Sequence, residues 1–189
     1  MTIRFATVSD APALLAIYAQ YIDTTITFEY DLPSVEEFAG RIRDISSYYP
    51  YLVCETDGNI VGYAYAHRAR ERTAYDWFLE LSIYLDRGCT GQGLGTALYS
   101  ALMDLLRAQN IKTVMGCVTL PNEKSEALHR TMGFRLVGTS ANVGYKNGAW
   151  HDVAWFEKAI GAYEPTPSPV VSINDVAPET VATVLNKYS

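Results

Sequence analysis

From Leu94 onward the apolar residues Leu98, Ala101, Leu102, Leu105 and Leu106 recur at intervals of three and four, which predicts a helix with one wet side. Ahead of it, the apolar run from Trp77 to Leu85 predicts a long strand, and the polar, glycine-bearing stretch Asp86 to Thr90 turns the chain between the two. The same test sorts the rest. Ile3–Ala6 suits a first strand, and Ser9 or Asp10 can cap a helix that begins near Pro12 and carries Leu14, Leu15, Ile17 and Tyr18. Pro33 and Ser34 open a second helix with Val35, Phe38 and Ile42 on one side. Tyr51–Glu55 and Ile60–Ala66 form a hairpin through Thr56 to Asn59, and Ile111–Val118 is a further strand. Asn122 caps a helix bearing Ala127, Leu128, Thr131 and Met132, which Gly133 stops. Phe134–Tyr145 and Trp150–Phe156 flank an Asn147-Gly148 turn. This order predicts a mixed α/β sheet in one domain over residues 1–160. Residues 161–189 open with Pro165, Pro167, Pro169 and Pro178, and are expected to form a tail on the body or on a second subunit, with a short helix at Glu179–Leu185.

Gly91, Gly93 and Gly95 stand where the central helix begins. Without a Cβ the backbone can approach an anion closely, and first-turn N–H groups lack intrahelical partners, so a phosphate is the expected guest. Two common phosphate loops do not fit. A P-loop needs Gly-Lys followed by Ser or Thr, and no Lys is present; a dinucleotide loop needs a third glycine where Thr96 stands.

Composition narrows the partner. The 189 residues are 49% hydrophobic and 19% charged, and 15 Lys and Arg against 21 Asp and Glu leave a net charge of -6. No global field favours nucleic acid or an anionic membrane. No run approaches the roughly 20 apolar residues of a membrane span, and MTIRFATVSD lacks a basic segment leading into an apolar one, so a cytoplasmic protein with a small-molecule partner is expected. Cys54, Cys89 and Cys117 suit neither a disulfide framework nor a C-x-x-C site, and Cys89 is the one expected to be exposed. His67, His129 and His151 lack ligand spacing, so no metal is expected.

Two features carry candidate chemistry. Glu80 lies between Leu79 and Leu81, and a carboxylate in so apolar a strand is either at a wet edge or placed for proton transfer. His67–Arg72, HRARER, is the one basic cluster in an acidic chain: either a solvated loop or a lip whose guanidinium groups grip acidic oxygens.

Together these segments resemble the GNAT N-acetyltransferases over roughly residues 2 to 158. Thr90, Gly93 and Gly95 align with that superfamily's Gln/Arg-x-x-Gly-x-Gly loop, Thr90 departing from the usual Gln or Arg. Ala74-Tyr75-Asp76-Trp77, Gly93-Leu94-Gly95 with Tyr99, Leu120-Pro121-Asn122, His129 with Gly133, and Asn147 to Val153 are similar to the phosphinothricin and methionine sulfoximine acetyltransferase branch. The resemblance implies a mixed, mostly antiparallel sheet of about seven strands flanked by about four helices, with splayed central strands. It implies acetyl-CoA as cosubstrate, with its pyrophosphate on Gly91, Gln92, Gly93, Leu94, Gly95 and Thr96, its pantetheine along Ile83, Tyr84 and Leu85, and Asn122 beside that arm.

An α-ammonium must lose a proton before it attacks a thioester, and Glu80 matches the branch's base. His129, seven residues after Asn122 where many GNAT enzymes carry Tyr, is the expected acid for the leaving thiolate, with Tyr99 as the alternative. Arg70, Arg72, Tyr75 and Phe28 are the expected acceptor contacts, the acceptor being phosphinothricin, methionine sulfoximine or methionine sulfone, and a homodimer is implied. Acetylation of a protein N-terminus or polyamine, and a silent acyl-CoA sensor, are the competing readings.

Overall fold

The computed structural model describes residues 1–189. Seven strands, β1 (Thr2–Phe5), β2 (Tyr51–Thr56), β3 (Asn59–Arg68), β4 (Phe78–Leu85), β5 (Thr113–Thr119), β6 (Arg135–Lys146) and β7 (Ala149–Ala159), form one sheet in the order β1-β2-β3-β4-β5-β7-β6. Five helices flank it: α1 (Ala11–Ala19), α2 (Val35–Ser46), α3 (Leu94–Ala108), α4 (Glu123–Thr131) and α5 (Pro178–Tyr188). All neighbouring strands pair antiparallel except β4 and β5. This is the expected GNAT-type arrangement, with one more helix than expected.

Local chemistry accounts for the joints. Asp57 and Gly58 both take positive φ between β2 and β3, as do Asn147 and Gly148 between β6 and β7, the backbone that a tight hairpin requires. Ser34 accepts from the Glu37 N–H, and Glu37 reaches back to the Ser34 N–H at 2.7 Å, a reciprocal cap that starts α2. Val35, expected on the buried side of α2, is exposed; Phe38 and Ile42 are the helix's buried residues, with Ala39 and Ile45 packed partly against the core.

The sheet separates two apolar layers. Leu98, Ala101, Leu102, Leu105 and Leu106 of α3 are fully buried with Leu52, Ala64, Leu79 and Val114 on one face. Each such Leu contributes about 1.5–3 kcal/mol from burial. Leu14, Ile17, Tyr18, Phe38 and Ile42 of α1 and α2 meet Tyr51, Val53 and Tyr63 on the other. The tail lies on the first layer: Ile173 and Val176 are buried there, and α5 packs on α3.

The feature that matters for chemistry is where β4 and β5 part. Their parallel pairing ends at Leu81 and Gly116, after which β4 continues to Leu85 and β5 to Thr119 without pairing to each other. Each keeps its outer neighbour, β3 and β7. The two inner edges therefore hold unpaired backbone groups across an opening, as the splayed-strand expectation requires. No helix is long and apolar enough to cross a membrane.

Candidate active site

A cleft of about 780 Å³ fills this opening. The end of β4 supplies Ile83, Tyr84 and Leu85; the loop into α3 supplies Gly91, Gly93, Gly95 and Thr96; α4 supplies its cap Asn122. Eight of the ten residues expected to hold acetyl-CoA thus line one cavity. The two exceptions follow from the turn: Leu94 points into the core, 8% exposed, and Gln92 is exposed away from the cleft.

Gly91 and Gly93 take φ of 80° and 82°, which only glycine adopts without strain, and a Cβ at either would meet nothing. None of the N–H groups from Gly91 to Thr96 has a protein acceptor; the first helical bond is Ala97 N–H to the Gly93 carbonyl at 3.0 Å. These free donors converge at the positive end of a 15-residue helix, so a diphosphate fits the cradle. Arg87 and Lys124 also line the cleft, Arg87 standing 5.1 Å over the Tyr21 ring, and add two cations that sequence reasoning missed. Their signal was position, since each lies within a few residues of the loop or of Asn122. The Asn122 side chain accepts from the Ser125 N–H at 3.2 Å, so capping and cleft lining coexist.

A second cavity of about 350 Å³ lies on the opposite face of β4, under α1 and α2. Tyr84 lines both cavities, and Tyr65, His67, Thr27, Glu29 and Arg41 line the second. Strand alternation sends Leu79 and Leu81 to the α3 face and Glu80 to the face of Tyr84. Glu80 is half-buried and lines neither cavity; it stands in register with His67 on β3, which does line the second, and with Met115 on β5, at the last rungs before the strands part. Its carboxylate is close enough to Tyr65 to disfavour that phenol's ionisation, adding to the dominant effect of burial. Cys117 is exposed on this face and Cys89 is half-buried, the reverse of the expectation, because Cys117 lies on β5 past the point of separation.

His129 is not in the cleft. It is 2% exposed on the α3 face, with its ring 5.0 Å from Phe134, 5.2 Å from Phe156 and 5.7 Å from Tyr99. Nδ1 lies 2.8 Å from the Ser125 carbonyl and must carry the proton, which leaves Nε2 bare, without a partner, against Gly116. Burial lowers its pKa, so the ring is neutral and has no Nε2 proton to donate. The structure thus places His129, the expected thiolate acid, in an aromatic shell beside Gly116 and not among the cleft-lining residues, and Tyr99 is fully buried beside it with its pKa raised by desolvation. A folded-state pKa below the ordinary 6.5 means that the unfolded chain takes up a proton the folded chain refuses. Stability should therefore fall as pH drops below about 6.5, and His129→Leu should remove that part of the slope in Tm measured against pH.

The basic loop behaves differently from its expected role. Arg68 is paired with Asp76, Arg70 and Arg72 are exposed, and Tyr75 is 45% exposed; none lines either cavity. The loop does leave β3 just past His67, on the same strand end as Glu80. Phe28 lines neither cavity, but its neighbours Thr27 and Glu29 line the second, and its ring covers Gly144, where a Cβ would lie 2.2 Å from it. The cation that does reach the second cavity is Arg41, which is held by Glu29 at 2.7 Å.

Comparison with known proteins agrees with this geometry. Residues 3–155 match the family described as Acetyltransferase (GNAT) domain. The phosphinothricin N-acetyltransferase of Streptomyces viridochromogenes is 35% identical over 175 residues, 92% of this chain and 95% of that protein. The L-methionine sulfoximine/L-methionine sulfone acetyltransferase of Pseudomonas paraeruginosa is 32% identical over 162 residues, 82% and 92% of the two. The crystal structure of a GNAT superfamily phosphinothricin acetyltransferase from Sinorhizobium meliloti in complex with AcCoA matches with a TM-score of 0.83 and 34% identity, covering 95% of this chain and 96% of that one.

Proposed function

This chain belongs to the GNAT acetyltransferase family, and on that premise we propose that it acetylates the α-amino group of a small amino acid analogue of the phosphinothricin, methionine sulfoximine or methionine sulfone kind. Acetyl-CoA is the cosubstrate and supplies an activated thioester when bound. The observation that carries the reading is the pair of cavities on either side of β4, which share Tyr84 as a wall just beyond the point where the strands part.

The residues divide the work by face. The unpartnered amides from Gly91 to Thr96 hold the diphosphate, with Arg87 and Lys124 adding positive charge. The free edge of β4 pairs with the pantetheine arm as a strand would with an added peptide. The acceptor lies on the Glu80 face, where Glu80 takes the proton of the attacking ammonium. With both reactants bound at once, the transfer is direct, and no nucleophilic side chain of this chain intervenes. Arg41, paired with Glu29, is the cation of the second cavity that can meet acidic acceptor oxygens.

Val137, Val143, Tyr145 and Trp150 are exposed on the outer hairpin, which supports a second subunit there and a homodimer in solution. The test of function mixes the protein and acetyl-CoA with each of the three amines. Free CoA thiol should appear with at least one, together with the acetylated amine by mass. Tight acetyl-CoA binding without product from any of them would leave a silent acyl-CoA sensor instead.

A further inference from the structure

Lys146, at the end of β6, is 3% exposed, and its ammonium touches no carboxylate. Instead Nζ donates to three backbone carbonyls, Ile22 at 2.6 Å and Thr27 and Glu29 at 2.7 Å each. A buried ammonium is costly unless all its donors are matched, and here three donors meet three acceptors in charge-assisted bonds. The carbonyls belong to the connection between α1 and α2, which has no strand or helix of its own from Ile22 to Glu29. Asn147 reinforces the tie by donating to the Asp23 carbonyl at 3.0 Å, and Tyr30 returns a bond to the Tyr145 carbonyl. The bound segment is a wall of both cavities: Ile26 faces the cofactor cleft, while Thr27 and Glu29 face the second. Thr27 also shares a hydroxyl contact of 2.6 Å with Tyr18, and Glu29 holds Arg41.

We propose that Lys146 is a positioning residue for acetyl transfer, its ammonium holding the Ile22–Glu29 segment in the shape that walls the acceptor cavity. It touches no reacting atom and acts through Thr27, Glu29 and Arg41. Its kinetic part rests on the acetyltransferase reading above; the structural part does not.

The test compares Lys146→Met, Lys146→Arg and Asn147→Ala by amide hydrogen exchange and by steady-state kinetics, with methionine sulfoximine as the acceptor probe. In Lys146→Met, exchange over residues 22–30 should rise about tenfold while that of α3 stays constant. The acceptor KM should rise about tenfold, with the acetyl-CoA KM within about threefold, and Lys146→Arg should recover part of both effects. Asn147→Ala should show the same pattern at smaller scale, and carries the test if Lys146→Met does not fold. Unchanged exchange in the folded variants, or faster exchange with an unmoved acceptor KM, or equal rises in both KM values, would each overturn the proposal. If no probe amine is acetylated at all, the functional reading has failed, and the exchange data alone then decide whether the clasp exists.

Discussion

Glu80→Gln is expected to lower kcat for acetyl transfer by about two to three orders of magnitude, the range set by loss of a positioned general base, while the acetyl-CoA KM stays within about twofold. The substitution keeps the shape of the side chain while removing its charge and its capacity to accept a proton. The cofactor cleft is untouched, because Glu80 lies on the other face of β4 from Ile83 and Leu85 and lines no part of that cleft. His67 is the comparator, since it stands in register with Glu80 and lines the second cavity. Initial rates of thiol release settle the matter. If Glu80→Gln keeps its rate while His67→Ala loses it, the base is His67, and the assignment to Glu80 is withdrawn.

The second large effect is expected at the glycine loop. Gly93→Val should raise the acetyl-CoA KM by about two orders of magnitude, with a much smaller change in the acceptor KM. Two causes add. Valine at a φ of 82° is strained by about 1–3 kcal/mol, and its side chain would project into the open cleft beside the free amides. Gly58 separates the causes, because it has a φ of 77° with equally open surroundings in the β2–β3 turn, far along the chain from the cleft. Gly58→Val should lose stability and keep its acetyl-CoA KM. Equal KM values for the two variants would mean that the loop does not carry the diphosphate.

The parts of this protein legible in the residues alone are those set by local geometry. A three-and-four apolar spacing makes α3, Asn-Gly and Asp-Gly pairs make the hairpins, and glycines with positive φ open the helix start, all within a few residues of one another. That is why the strand, loop and helix come together around one cleft, which eight of the ten residues expected there line.

The acceptor side is another matter, because its walls come from segments far apart in sequence. Register across β3, β4 and β5 brings His67 beside Glu80, the separation after Leu81 and Gly116 creates the opening, and the hairpin tip at Lys146 grips a connection more than 110 residues away. His129 shows the same limit from the other direction: its place in the sequence matches a catalytic position, yet α4 turns it into an aromatic core on the face of the sheet opposite Glu80. Periodicity specifies which side of an element is apolar; which partner that side meets is decided only when distant strands pair and helices pack, because the free energy of burial depends on contacts that no short stretch of chain contains.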